Sequence, residues 1–450
     1  MKYYCSCSRR FESEAAREQH QADKNRDLNG RGPCRSISGA DFLLSIANNT
    51  PSNVAQAENN TGYSPPVRAE QRTWLWKQIR RPADPVHTIA QSAIVPSTVA
   101  VSSEAGYQLV CSYNWQSGRP RKIRVPEGYA AICQDMSLPL TLPPDRGIFY
   151  SDPNTELLPR HPFEPMFRAA VAMNPDVSFD NIDVVTNRTS LRKLLDFCAG
   201  RSGDCFRLNL HLVRNTLIVE RCDKNTREFK TGSRDGGWGR HFEKASANYP
   251  AGLRQSLSHH RTLRYSIGAL SCAVQFEVDA SYEQDNKAGP LDGLVPRMET
   301  VSIPRAHLSE AKSPWQGLQV ETAYAGARVM DQSTTAELKS SSKNKNINYY
   351  MSQLWFGRTP WIIVGLHTEG TFDSRRITDV TDRFAEWEVN NQEILRKLVT
   401  VLGELRTAIQ KNGGRHCAAV FARGSGIIGV FDLMSVRQAV PMDLRQKLWT

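Results

Sequence analysis

Two short segments place charged side chains where the surrounding pattern calls for a buried strand. Gln275-Phe-Glu-Val-Asp-Ala280 puts Glu277 and Asp279 on one strand face and Val278 on the other. Ala336-Glu-Leu-Lys-Ser340 does the same with Glu337 and Lys339, leaving Leu338 for the core. Two carboxylates on one face repel and raise each other's pKa. A divalent cation with hard oxygen ligands removes that penalty, and a neighbouring lysine is suited to hold or polarise a water there. Either pattern alone is common as a solvated strand face. Their order carries the reading, because Glu243, Glu277, Asp279, Glu337, Lys339 and Gln353 follow one another within 111 positions. The chemistry expected is metal-dependent hydrolysis of a phosphodiester or pyrophosphate.

The same order resembles the DXO-type decapping exoribonucleases, a branch of the PD-(D/E)XK nucleases. Asp183-Val-Val-Thr-Asn-Arg188, with Leu191-Arg-Lys-Leu-Leu195 after it, is similar to the family's first motif. Trp238-Gly-Arg-His-Phe-Glu243 resembles its second, Phe276-Glu-Val-Asp279 its Glu-x-Asp, and Glu337-Leu-Lys339-Ser340 its Glu-Leu-Lys-Thr. Tyr349-Tyr-Met-Ser-Gln353 and the apolar strand from Pro360 to Gly365 look like the aromatic helix and strand that close the set. The likeness covers roughly residues 124–440. Thr189 stands where the family usually has glycine and Arg240 where it has tyrosine, and the gap from Asp279 to Glu337 holds a Pro/Gly-rich insert. These departures bear on substrate choice more than on metal binding.

The resemblance implies that Glu243, Glu277, Asp279 and Glu337 ligate one or two Mg²⁺ or Mn²⁺ ions, with the backbone carbonyl of Leu338 as a further ligand. Lys339 would position the attacking water, Glu277 would share in catalysis, and Gln353 would hold substrate or water. Arg188 would meet a phosphate near the RNA 5′ end. The implied reaction removes pyrophosphate or a cap from RNA, with 5′–3′ digestion as a possible second step. The implied partners are that RNA and a 5′–3′ exonuclease. Two alternatives stay open: a DNA-directed nuclease of the same class, since an acid–lysine site does not itself read the 2′-OH, and a non-catalytic scaffold.

At 450 residues and 40% hydrophobic content the chain supports a large core, and a net charge of +11 suits an anionic partner. The densest basic cluster is Arg119-Pro-Arg-Lys-Ile-Arg124, with Arg375-Arg376 a second. Each reads equally as a phosphate track or a solvated surface. No stretch approaches the roughly eighteen apolar residues of a membrane helix. The ten scattered cysteines suit reduced thiols, so an intracellular protein is expected, nuclear rather than cytoplasmic, with no membrane partner. No Walker-type loop, Ser-His-Asp signal or Asp-Asp-x-x-Asp run is present.

The expected fold is mixed α/β (α+β): a central mixed sheet flanked by helices, with a PD-(D/E)XK-like core over 101–450. Residues 1–30 echo a degenerate C2H2 finger, in which Cys5, Cys7 and His20 are candidate Zn²⁺ ligands. Residues 31–100 read as mostly disordered linker, save a short helix around Trp74, Trp76 and Ile79. Hairpins are expected at Arg214-Asn215, Gly268 and Glu369-Gly370, and a long helix from Thr381 or Asp382 to Lys411. Thr189 or Ser190 is expected to cap a helix ending at Cys198. Residues 114–129 read as a polar connection. Ser258-His259-His260 offers one histidine to the substrate channel, or two to core hydrogen bonds.

Overall fold

The computed structural model describes residues 73–125, 130–283, 317–322, 329–434 and 437–450, with short pieces at 3–5, 9–11, 14–16, 18–19, 36–37 and 298–299. It divides into two units, Met1–Gly62 and Tyr63–Thr450. In the first, the strand Tyr3–Cys5 pairs antiparallel with Arg9–Phe11 and with Ser36–Ile37. Cys7 and His20, two of the three candidate zinc ligands, lie outside the described residues, and Cys5 is described by its backbone only.

The second unit is built on two mixed sheets. The larger runs in the order Leu318–Thr322, Arg121–Val125, Gln108–Gln116, Ser256–Ile267, Leu270–Val278 (β1), Val184–Asn187, Thr216–Cys222, Phe206–Val213, Cys417–Phe421, Ile427–Asp432 and His87–Ala90. The smaller runs Ala247–Asn248, Ala131–Cys133, Ala280–Ser281 (β2), Thr335–Ser341 (β3), Trp361–Thr368 (β4), Thr371–Asp379 (β5) and Leu140–Thr141. Asp279 is the joint between β1 and β2, so one stretch of chain passes from the larger sheet into the smaller at an acid. Residues on either side of it therefore belong to different sheets, and the acids gather where the two meet.

Four helices matter to this arrangement: Arg188–Cys198 (α1), Gly239–Ser246 (α2), Asn348–Gly357 (α3) and Arg383–Lys411 (α4). In α4, Leu395, Leu398, Leu402, Leu405 and Ile409 recur at helical spacing and are fully buried. Each contributes roughly 1.5–3 kcal/mol by leaving water. The expected hairpins form: Arg214 takes φ 50°, Gly268 58° and Glu369 48° at their turns. Among the described residues no helix is long and apolar enough to cross a membrane.

Three local expectations are corrected. The cap of α1 is Asn187, whose side chain accepts from the Ser190 amide at 2.8 Å; Thr189 and Ser190 lie inside the helix. Residues 121–125, expected to be connection, form a strand that buries Ile123 and Val125, a pattern too short to stand out among the arginines. Residues 80–100, expected to be linker, are built into the domain, beside the short helix expected around Trp74 and Trp76, which forms over Thr73–Trp76. Leu75 and Ile79 pack with Val420 and Phe431, while His87–Ala90 forms the sheet edge with Ile89 inward. An edge strand with one buried residue shows no period to read.

Candidate active site

Glu337 is the hub. It sits on β3 with 2% of its surface exposed. Its Oε1 meets both Lys339 Nζ and Gln353 Nε2, and its Oε2 lies 3.1 Å from Arg188 Nη1. Period-two geometry puts Lys339 on the same face, 3.9 Å from Asp279 Oδ2. That oxygen also accepts from the Leu338 amide at 2.9 Å, tying the joint of the two sheets to β3. Leu338, expected to offer its carbonyl, contributes its N–H here and buries its side chain.

Each remaining residue comes from a different element. Arg188 opens α1; its Nη2 donates to the Glu277 carbonyl at 3.2 Å, and its guanidinium lies 5.5 Å from the Phe276 ring centre. Gln353 on α3 accepts from Arg192 Nη1 at 3.1 Å, one helical turn beyond Arg188. Glu243 on α2 pairs with Arg240 at 3.1 Å. The start of α2 is held by the buried Asp145, whose carboxylate accepts from the Arg240 and His241 amides at 3.1 and 3.0 Å. Phe242 anchors the same helix against Gly365 of β4, where an added Cβ would meet the ring at 2.3 Å.

The electrostatics follow from crowding. Burial, together with repulsion from Glu243 and Glu337, lifts Glu277 to about 7 despite Arg240 and Arg188. Burial and then Glu337 push Asp279 well above the carboxylate range, and burial raises Glu243. Glu337 goes the other way: burial opposes its charge, but Lys339 and Arg188 hold it down to about 2. The cluster thus gathers one buried and three half-buried carboxylates that crowd one another around Arg188, Lys339 and Arg240. Among the described residues no three His, Cys, Asp or Glu side chains converge as a closed cation site; Glu243 and Glu337 instead meet Arg240, Arg188 and Lys339. The donors fit a hard divalent cation by chemistry, and closing on one would take side-chain rotations that release those pairs.

Beside the cluster is a cavity of about 110 Å³ lined by Asn154, Asn187, Arg188, Arg221, His260 and Glu277, among others. His260 faces it as a neutral ring, pushed down to about 3 by burial and by Arg188. It is hydrogen-bonded to Ser258 Oγ at 2.9 Å and stacked on Tyr113. His259 points elsewhere, to Asn114. Arg192, Arg240 and Asp145 are the members that sequence spacing alone did not bring into one site, while His260 is the one of the expected histidine pair that lines the cavity. Arg192 had one signal, its four-residue step from Arg188 on an amphipathic helix.

The two basic clusters are not bare patches. Lys122 and Arg124 both face Glu321, at 2.8 and 3.6 Å, and Arg375 pairs with Asp135 at 3.1 Å. Trp355 is fully buried, and its indole donates to Glu388 at 2.6 Å; Trp361 donates to the Ser333 carbonyl.

A family model described as "Domain of unknown function (DUF8563)" matches residues 84–449. No curated protein matches the chain in sequence. Among solved structures, Scheffersomyces stipitis Rai1 in complex with (3′-NADP)⁺ and calcium ion superposes with a TM-score of 0.52 at 11% identity, over 82% of this chain and 99% of that one. Candida albicans Rai1 in complex with pU5-Mn²⁺ gives 0.51 at 11% identity, over 80% and 100%. At such identity the likeness is one of fold, and it agrees with the mixed α/β architecture expected from the sequence.

Proposed function

For a chain that belongs to the DUF8563 family, a domain of unknown function, we propose a divalent-metal-dependent hydrolase acting on the 5′ end of RNA. The observation that carries it is the surroundings of Glu337, a buried carboxylate bound by Arg188, Lys339 and Gln353 at the meeting point of two sheets. Three further acids crowd that point, and desolvation with mutual repulsion raises the pKa of each. A scaffold gains nothing from such a cluster, since buried like charges destabilise a fold. Two Rai1 proteins of this fold are described with pU5 and Mn²⁺ and with 3′-NADP⁺ and calcium ion. Nucleotides and divalent cations are what carboxylates beside an arginine-lined cavity suit.

Glu243, Glu277, Asp279 and Glu337 would hold Mg²⁺ or Mn²⁺. When bound, the ion would acidify water and neutralise charge on the leaving phosphate. The chain's own groups do the rest. Lys339 holds a water against the scissile phosphorus. Gln353, itself steadied by Arg192, fixes the direction of approach. Arg188, at the cavity wall, supplies positive charge to a 5′ phosphate. His260, neutral across the physiological range, lines the cavity as a hydrogen-bonding group without adding charge.

The test incubates the full chain with 5′-triphosphate, capped and 5′-monophosphate RNA, and with a matched DNA, in Mn²⁺ or in EDTA. Release of the 5′ moiety or of nucleotides from RNA in Mn²⁺ alone supports the reading, and the preferred end names the substrate. Cleavage of DNA in preference to RNA would contradict it.

A further inference from the structure

We propose that the loop 342–346 and Tyr349 form a track for the body of a single-stranded RNA whose 5′ end lies in the acidic site; this rests on the RNA reading above. The loop leaves β3, the strand of Glu337 and Lys339, and leads into α3, the helix of Gln353. Lys343 and Lys345 are exposed on it, and among the described residues neither has an ion-pair partner. That sets them apart from Lys122, Arg124 and Arg375, whose charges face carboxylates.

The neighbours are of one kind. Arg376 on β5 donates to the Asn344 side chain at 2.7 Å and to the Lys345 carbonyl at 3.3 Å, which fixes the loop and adds a third cation. Tyr349 is 64% exposed, unusual for a ring in the first turn of a helix whose following residues, Tyr350 and Met351, are buried. Lys345 Nζ lies 4.3 Å from its ring centre. Tyr349 precedes Gln353 by four residues and so stands on the same helix face. An exposed ring flanked by cations, continuous with a phosphate-hydrolysing site, matches how single strands are held: bases stack on aromatics while basic groups follow the backbone. A peptide ligand would need carboxylates or apolar anchors to answer this surface, and a polyanion with π-faces answers both parts at once.

The experiment measures binding of 3′-fluorescein-labelled, 5′-monophosphate oligouridine to the full chain by anisotropy, in EDTA so that the RNA is not consumed. Two lengths are used, a dinucleotide and about ten nucleotides. The affinity advantage of the longer RNA is expected to shrink about 5- to 100-fold in Tyr349→Ala and to be restored in Tyr349→Trp. In Lys343→Gln/Lys345→Gln the slope of log affinity against log salt should fall by about 1.4, roughly 0.7 for each phosphate no longer neutralised. Wild-type length dependence and salt slope persisting in all variants would overturn the track while leaving the site's function standing. A wild type that binds neither length would overturn the RNA reading and the track with it.

Discussion

Arg188 and Glu337 meet 3.1 Å apart with side chains only 10% and 3% exposed, joining the first turn of α1 to the middle of β3. The contact links the wall of the cavity to the hub of the acid cluster. Removing one partner of a buried pair strands the other's charge, at about 3–5 kcal/mol. Lys339 remains on Glu337, so Arg188→Met should cost about 3 kcal/mol in urea denaturation. A loss under about 0.5 kcal/mol would mean that the pair is solvated in solution.

Glu277 makes a pH prediction with a definite sign. Its folded pKa of about 7 lies above the ordinary 4.5, so its ionisation destabilises the metal-free fold. The penalty is absent below pH 4.5, grows as pH rises, and is complete above about 7, where it reaches up to about 3 kcal/mol. Glu277→Gln should therefore be more stable than wild type at pH 8 in EDTA and equal to it near pH 4.5. Saturating Mn²⁺ should reverse the order at pH 8, because only the wild type retains all four acids. Denaturation curves at the two pH values, with and without metal, read this directly. A variant less stable than wild type at pH 8 in EDTA would refute it.

Lys339 separates chemistry from metal capture. Lys339→Met removes the group proposed to hold the water yet leaves the acids, so kcat should fall about 10²- to 10⁴-fold. Calorimetric Mn²⁺ affinity should stay equal or rise, since a competing ammonium has gone. Parallel loss of metal affinity and rate would assign Lys339 to holding the cluster together.

Gly365 couples packing to the site. A methyl group there would lie 2.3 Å from the Phe242 ring, and Phe242 is the residue before Glu243. Gly365→Ala should destabilise by about 1–3 kcal/mol and weaken Mn²⁺ binding by shifting α2. Adding Phe242→Leu should recover much of both losses, a non-additivity that a double-mutant cycle measures.

The readable part of the site is the part governed by strand period. Glu277, Glu337 and Lys339 lie in regular strand, so alternation alone predicts that they share faces. What alternation does not contain is the passage from one sheet to another at Asp279, because a joint looks like one more strand residue. The counter-cation Arg240 and the anchoring carboxylate Asp145 escaped for a related reason: they come from a helix start and a loop end, where no period marks a direction, and only tertiary packing brings them to the site. Composition misled where averaging hid short segments: His87–Ala90 and Arg121–Val125 each bury one or two residues amid polar neighbours.

In the proposed function, the acids around Glu337 hydrolyse RNA 5′ ends with a divalent cation. Single-turnover release of the 5′ moiety from triphosphate RNA in Mn²⁺, by wild type and by Glu337→Gln, tests it most directly, with folding of both checked by circular dichroism. Wild type should release the 5′ moiety, EDTA should abolish that release, and the folded variant should lose at least about 10³-fold. Equal release by Glu337→Gln, or release by wild type that survives EDTA, would contradict it.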